Sequence, residues 1–440
     1  MMTGLEGKKL LVLGGKPMGS FELVQYAHTM GLYVVVADYL HPSQSPAKAI
    51  ANETWTISTA DLHELARKSE RAKIDGVVSG IHDFNIRQSI RLAEMLKLPS
   101  YCTLQDWDIF NNKSQFKQLC LAHGLDVARE FSYEEIDAGK VTVNFENMPL
   151  VCKPVDGSGS AGFSICRSKE DLHEAVERAR RFSDSKSVLI EEYIPHESLV
   201  AYFTLIDGEP VFTSLADKYP KTFPGSDARI ASLHIYPSFY ANHFSQEVCP
   251  RIQDFIREVG LRKGTLWIEI FRKHDRYVMN EAGYRFSGSL SYYQSFVQQG
   301  INQLGSYIVG AVTGDYRATT YFPPLVSKET ATSDKYAILS LQIQPGTIKE
   351  VTGLEKLLDH PKVITLPTLH HAGDVIEEWN SCKQTFGYLH FTFNDEGEFR
   401  SIIGYALDTL AVTNEEGENL LYTLFDDERD VLRSFDQDSL

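Results

Sequence analysis

Residues 266–281 read LWIEIFRKHDRYVMNE: two apolar runs, Leu266–Phe271 and Tyr277–Glu281, flank the polar stretch Arg272–Arg276. That pattern predicts a β-hairpin. With the turn centred on Asp275, Glu269 and Glu281 fall directly opposite each other on one face. Two carboxylates about 5 Å apart on a half-buried sheet repel by roughly 3 kcal/mol at an effective dielectric of about 20. A fold keeps such a pair when a proton or a cation sits between them. Oxygen ligation by a few carboxylates, completed by phosphates and water, is the habit of Mg²⁺. An arbitrary pair of strand glutamates is more often solvated charge, so the surrounding sequence has to decide.

Outward from the hairpin, Arg285 stands four residues past Glu281 in EAGYRFSG. Upstream, Val188–Ile194 (VLIEEYI) ends an apolar strand in acids. Further upstream, Leu150–Gly162 (LVCKPVDGSGSAG) ends another strand in Lys153, followed by a loop of glycines and serines. Glycines let backbone N–H groups approach phosphate oxygens, and the lysine adds a fixed positive charge. Taken singly, each motif is weak: a glycine-rich hairpin is more often a plain turn, and acids at strand ends are common. In order they make a lysine, a glycine lid, a hinge and a two-carboxylate cation site with an arginine.

The 440 residues allow about three domains. The net charge of −16 disfavours general affinity for nucleic acid or an anionic membrane, so an anionic substrate needs a local cluster of cations or metal. Six cysteines without a CxxC or His-linked spacing point to reduced thiols in a cytoplasmic protein. No stretch approaches the roughly 18 apolar residues of a membrane span.

Residues 8–110 alternate strand and helix signals: Lys9–Leu13, Phe21–Met30, Tyr33–Ala37 and Gly76–Ser79 predict a parallel α/β domain. The turn Gly14–Ser20 (GGKPMGS) lacks GxGxxG spacing, and Asp38 at a strand end is read as a turn residue or substrate contact rather than a ribose acid. Ser168–Phe182 predicts an amphipathic helix capped by Ser168, with Leu172, Ala175, Val176, Ala179 and Phe182 on one face. From about Tyr316, strand runs such as Ile338–Ile343 and Tyr388–Phe393, split by turns at Pro345–Gly346 and Asp395–Gly397, predict a smaller α+β domain. His370 and His371 are adjacent and, on a strand, would face opposite ways, which argues against a metal pair.

The ordered set resembles the ATP-grasp superfamily, over most of residues 8–310. The resemblance implies an α/β and α+β architecture: an N-terminal Rossmann-like pre-ATP-grasp domain (1–110), an ATP-grasp domain (111–315) with a mobile lobe at about 125–193, and a small C-terminal α+β domain (316–440). By that resemblance Lys113 (in NNKSQFK) and Lys153 look like the phosphate lysines. Ser158, Gly159, Ser160 and Gly162 look like the lid, and Glu191, Glu192, Tyr193 and Ile194 like the adenine hinge. Glu269 and Glu281 would bind Mg²⁺, with Mn²⁺ as the alternative ion, and Arg285 would neutralise the transferring phosphate. Two departures stand out. Glu281 is followed by Ala282 and Gly283, so the family's Glu-x-Asn ligand is missing; Ser198 stands where many members carry a ribose-binding glutamate, which makes the adjoining Glu197 the substitute candidate.

The layout is similar to the L-amino acid ligases and implies an ATP-dependent carboxylate–amine ligase, cytoplasmic, acting through an acyl phosphate and releasing ADP. Its partners would be a small carboxylate and an amine, with no nucleic acid and no membrane; a homodimer is compatible with it. The alternatives are a purine-biosynthesis-like ligase or carboxylase, suggested by the short EAGYR variant, and a non-catalytic nucleotide-binding protein. For substrate, Asp83, Arg229 and His234 are the candidates; Lys218 lies in the same segment as the last two.

Overall fold

Lys9–Leu13 lies between Tyr33–Asp38 and Gly76–Ser79, with Glu53–Thr56 at the outer edge, and all four strands run parallel. Val12, Val34 and Val36 on one face and Leu11, Leu13 and Val35 on the other are buried, because helices cover both faces. The first turn is pinned by Asp38, whose carboxylate accepts from the Gly15 N–H and the Ser45 hydroxyl, both at 2.8 Å, and pairs with Lys48 at 2.7 Å. A Cβ at Gly15 would meet the Ser45 oxygen at 2.2 Å, so the turn needs its glycine. Asp38 is a structural fixture. The computed structural model describes residues 5–16, 18–156, 162–223, 229–317, 322–326 and 335–425.

A second, antiparallel sheet is ordered Glu130–Phe131, Val188–Glu192, Leu150–Pro154, Ser164–Cys166. Its helix, Lys169–Arg181, is capped by the Ser168 hydroxyl, which accepts from the Asp171 N–H, and it buries Leu172, Ala175, Val176 and Ala179 against the sheet. Phe182, expected on that stripe, is instead the C-cap and is 56% exposed.

Among the described residues the third sheet has nine antiparallel strands. Arg276–Gly283, Gly264–Lys273, Glu197–Ile206, Glu209–Thr222 and Arg229–Tyr236 continue directly into Lys335–Ile343, Thr385–Phe393 and Val363–Thr365, with Leu421–Thr423 also on Lys335–Ile343. The C-terminal segment therefore extends the central sheet, and Leu233 and Ile235 of the central part share its core with Leu339, Leu389 and Phe391. Two expectations differ here. Asp395, read as a turn, caps a helix, Glu396–Thr409, that buries Phe399, Ile402, Ile403 and Ala406. His370 and His371 lie in a connection rather than on a strand; the His370 ring contacts Asp374 at 3.5 Å and the Lys383 carbonyl at 2.7 Å.

Candidate active site

Gly264–Lys273 and Arg276–Gly283 form the hairpin, with Glu269 opposite Glu281. Near the turn the pairing is Lys273 with Arg276, which centres the turn between His274 and Asp275 rather than on Asp275. A bulge between Glu269 and Ile270 then leaves Asn280 as an extra residue and restores the glutamate pair. Without the bulge, Asn280 would oppose Glu269 and Glu281 would turn to the other face.

Both glutamates line a cleft of about 380 Å³ between the second and third sheets. Lys218 holds Glu269 at 2.7 Å, and Lys113 holds Glu281 at 3.3 Å. Burial alone would raise Glu281, but the ammonium groups of Lys113, Lys153 and Lys218 outweigh it and bring its carboxyl down to about 2. Burial pushes Glu269 up; Lys218 opposes this and Glu281 adds to it. The pair thus resolves into one acid held well below the usual carboxylate range and one raised above it. Among the described residues no group of three or more His, Cys, Asp or Glu side chains could hold a metal ion. Two acids in a cation-rich cleft fit a hard divalent ion whose shell is completed by phosphate and water.

Helix geometry supplies the lysines. Lys113 opens the helix Lys113–Ala122 after the Asn112 cap, and Lys117 follows one turn later between buried Phe116 and Cys120. Lys117, with its side chain fully buried, ion-pairs with Glu191. On the second sheet Val151 faces Glu191, so Lys153, two residues on, shares their face; it contacts Glu191 at 2.7 Å and donates to Asn280 at 3.1 Å. Burial, with Lys113 beside it, lowers the Lys153 ammonium to about 8.

The remaining candidates divide. Arg285 chelates Asp83 at 2.5 and 3.4 Å and lies over the Trp267 ring, and all three residues line the cleft. Asp83 is the first residue of its helix, with His82 as the N-cap. Arg229 donates to the Tyr193 hydroxyl at 3.3 Å at the hinge. Glu192, Tyr193 and Ile194 line the cleft beside Ala128, Val151 and Phe271, although the Glu192 and Tyr193 N–H groups already donate to Arg129 and Pro149 carbonyls. Gly162 has a left-handed φ of 76° and packs near Pro154 and Phe182; Ser158, Gly159 and Ser160 lie outside the described residues.

Three placements differ from expectation. The Glu191 side chain, read as an adenine contact, is turned onto Lys117 and Lys153. Glu197 is bound by Tyr240 and Arg272, both at 2.6 Å, on the helix-covered face; alternation along the strand puts Ser198 in the cleft and Glu197 out of it. His234 shares the face of Lys218, but Val297 and its helix pack over that part of the sheet. Burial, with Lys218 nearby, brings its imidazole down to about 3.

Lys117, Asn280 and His196 were not anticipated as site residues. Lys117 carried a signal: it is the second lysine of NNKSQFK at helical spacing. His196 stacks on Phe271 at 3.6 Å, and its Nδ1 donates to the Ile194 carbonyl at 2.5 Å. Burial holds it neutral, at about 4, so Nε2 is a bare acceptor at the cleft wall.

Residues 146–292 match the ATP-grasp domain family. The chain is 27% identical over 216 residues to a formate-dependent phosphoribosylglycinamide formyltransferase of Bacillus velezensis, covering 46% of this chain and 52% of that protein. It thus spans about half the length of that relative. The L-amino acid ligase of Bacillus licheniformis superposes with a TM-score of 0.71 at 17% identity, covering 93% of this chain and 99% of that one. The biotin carboxylase domain of a 2-oxoglutarate carboxylase from Hydrogenobacter thermophilus, solved with MgADP, ADP and bicarbonate, gives 0.72 at 13% identity, covering 92% and 90%. Among the described residues no helix is long and apolar enough to cross a membrane. The stretch matched to the ATP-grasp domain family includes both the lysine strand and the glutamate hairpin, and the solved structures share the fold over nine-tenths of the chain.

Proposed function

We propose that the protein is an ATP-dependent ligase that joins a small carboxylate to an amine through an acyl phosphate, releasing ADP and phosphate. The observation that carries this reading is the opposed pair Glu269–Glu281, flanked by Lys113, Lys153 and Lys218 in one cleft. Glu269 and Glu281 would hold Mg²⁺ or Mn²⁺, which when bound supplies charge neutralisation to the phosphates. Lys113 and Lys153 position the phosphate chain, and the hinge Glu192–Ile194 with Phe271 and Val151 takes the base. Arg285, already in the cleft on Asp83, neutralises charge on the phosphoryl group as it moves to the carboxylate. In-line transfer of this kind needs no protein nucleophile; the cleft supplies position and charge.

Two substrate readings remain. The architecture shared with an L-amino acid ligase supports an amino acid as the carboxylate, and therefore a dipeptide product. The 27% identity to a formate-dependent phosphoribosylglycinamide formyltransferase supports formate with a phosphorylated ribosyl amine. ADP release, measured with Mg²⁺-ATP across amino acids singly and in pairs and with formate plus phosphoribosylglycinamide, separates them. Release that requires two amino acids supports the first, and release that requires formate and the ribotide supports the second. Tight nucleotide binding without ADP release under any pair would overturn the ligase reading.

A further inference from the structure

Glu191 is 3% exposed and sits between two ammonium groups: Lys117, wholly buried, and Lys153 at 2.7 Å. Their surroundings differ. Among the described residues the Lys117 ammonium has no partner other than Glu191, and Phe116 and Cys120 flank it on the buried side of its helix. Lys153 is 12% exposed, lines the cleft and has a second, uncharged partner in Asn280 at 3.1 Å. Burial pulls the Lys117 ammonium well below the ordinary lysine range, and the Glu191 carboxylate against it favours the charged form, so one carboxylate has a fixed partner behind it and a cation in front that can leave.

We propose that Lys117 is a positioning residue that keeps Glu191 neutralised while Lys153 moves from Glu191 to the phosphates of a bound nucleotide. The inference rests on the nucleotide-binding reading of the cleft. If Lys153 were the only cation on Glu191, its departure would strand a buried carboxylate beside an incoming polyanion, and both effects oppose binding. With Lys117 in place, the carboxylate remains paired and Asn280 keeps the swinging ammonium hydrogen-bonded at the cleft. Two lysines one helical turn apart, Lys113 and Lys117, thus take different tasks: the first faces Glu281 and the phosphates, and the second faces the acid that Lys153 vacates.

The test is a double-variant cycle read by nucleotide affinity. Lys117→Met should weaken ATP binding by about tenfold or more, because Lys153 can no longer leave without stranding Glu191. Adenosine affinity should stay within about twofold, since no phosphate calls on Lys153. In the Glu191→Gln background there is no charge to strand, so adding Lys117→Met should leave ATP affinity within about twofold of the single Glu191→Gln variant. That second comparison stands alone if Lys117→Met by itself does not fold. If Lys117→Met weakens ATP and adenosine alike, or if the two losses add in the double variant, Lys117 is only a packing residue and the hand-over is wrong. Wild-type protein that binds no adenine nucleotide would overturn the functional reading itself; binding with additive losses overturns the hand-over alone.

Discussion

Glu269 and Glu281 occupy opposed positions on one hairpin, yet their surroundings pull their protons in opposite directions. Glu281 is held below the usual carboxylate range, so its charge adds stability above its unfolded value, and that stability is lost as pH falls through about 2. Glu269 is raised, so its ionised form costs stability above the ordinary carboxylate range. Glu281→Gln should therefore lower the melting temperature of the ligand-free protein at neutral pH, and Glu269→Gln should leave it unchanged or slightly higher. Both should lose ADP release by at least about a hundredfold, since each removes one anionic ligand from a two-acid site. Equal melting temperatures, or activity retained at saturating Mg²⁺ in both variants, would contradict the assignment. Lys153→Met should cost about 1.5–3 kcal/mol of nucleotide affinity. In the wild type that affinity should decline as pH rises through about 8, where the Lys153 ammonium loses its proton. Titration of ADP binding between neutral and alkaline pH checks both.

Elements were legible where period and punctuation agreed. The strand Lys9–Leu13 and the strand Gly76–Ser79 are where their apolar runs place them, and the glutamate pair is where the hairpin pattern places it. The route to that pair was not legible: two offsets, a turn half a residue early and one bulged residue at Asn280, cancel. Glu197 shows the general limit. A strand's phase inverts with a single residue, and nothing in VLIEEYIPHES says which of Glu197 and Ser198 looks inward until the register with Arg272 and Phe271 is set. Glu396–Thr409 did carry an i, i+3, i+4, i+7 stripe at Phe399, Ile402, Ile403 and Ala406, but the Asp-Glu-Gly at its start reads equally as a turn. The Ser168 cap gives an element-level prediction. Ser168→Ala should cost about 1 kcal/mol in urea unfolding while leaving nucleotide affinity unchanged, because the helix it starts packs on the far side of the Lys153 sheet. A loss of ATP affinity larger than about threefold would show that the lobe's stability and its binding are coupled.

At the scale of the whole molecule, the chemistry is tested by the identity of the activated intermediate. Hydroxylamine supplied in place of the amine should capture the activated carboxylate as a hydroxamate, with ADP as the nucleotide product. On the proposed reading, Lys113, Lys153, Arg285 and two acids of the cleft would face a phosphate chain, so activation by phosphorylation is the outcome its charges favour. Release of AMP and pyrophosphate would mean an adenylate and would overturn the mechanism without touching the fold. His234 teaches the same lesson in a different way. Its residue type and segment suggested substrate contact, but the helix Tyr292–Gln299, brought over from later in the chain, closes that part of the sheet. Such closure depends on three-dimensional return of the chain and leaves no local mark in the sequence.

The strand Arg229–Tyr236 is bonded on one side to the site's own strand Glu209–Thr222 and on the other to Lys335–Ile343, so the last third of the chain serves as a wall for the first two. Cys382 and Tyr388, from that third, also line the cleft. A gene cut near residue 315 would leave Leu233 and Ile235 uncovered along an open sheet edge. Shortened forms should accumulate as insoluble protein, and calorimetry of the full chain should show the catalytic and C-terminal parts melting in one transition. For anyone engineering this scaffold, the C-terminal third is therefore not a separable unit of exchange.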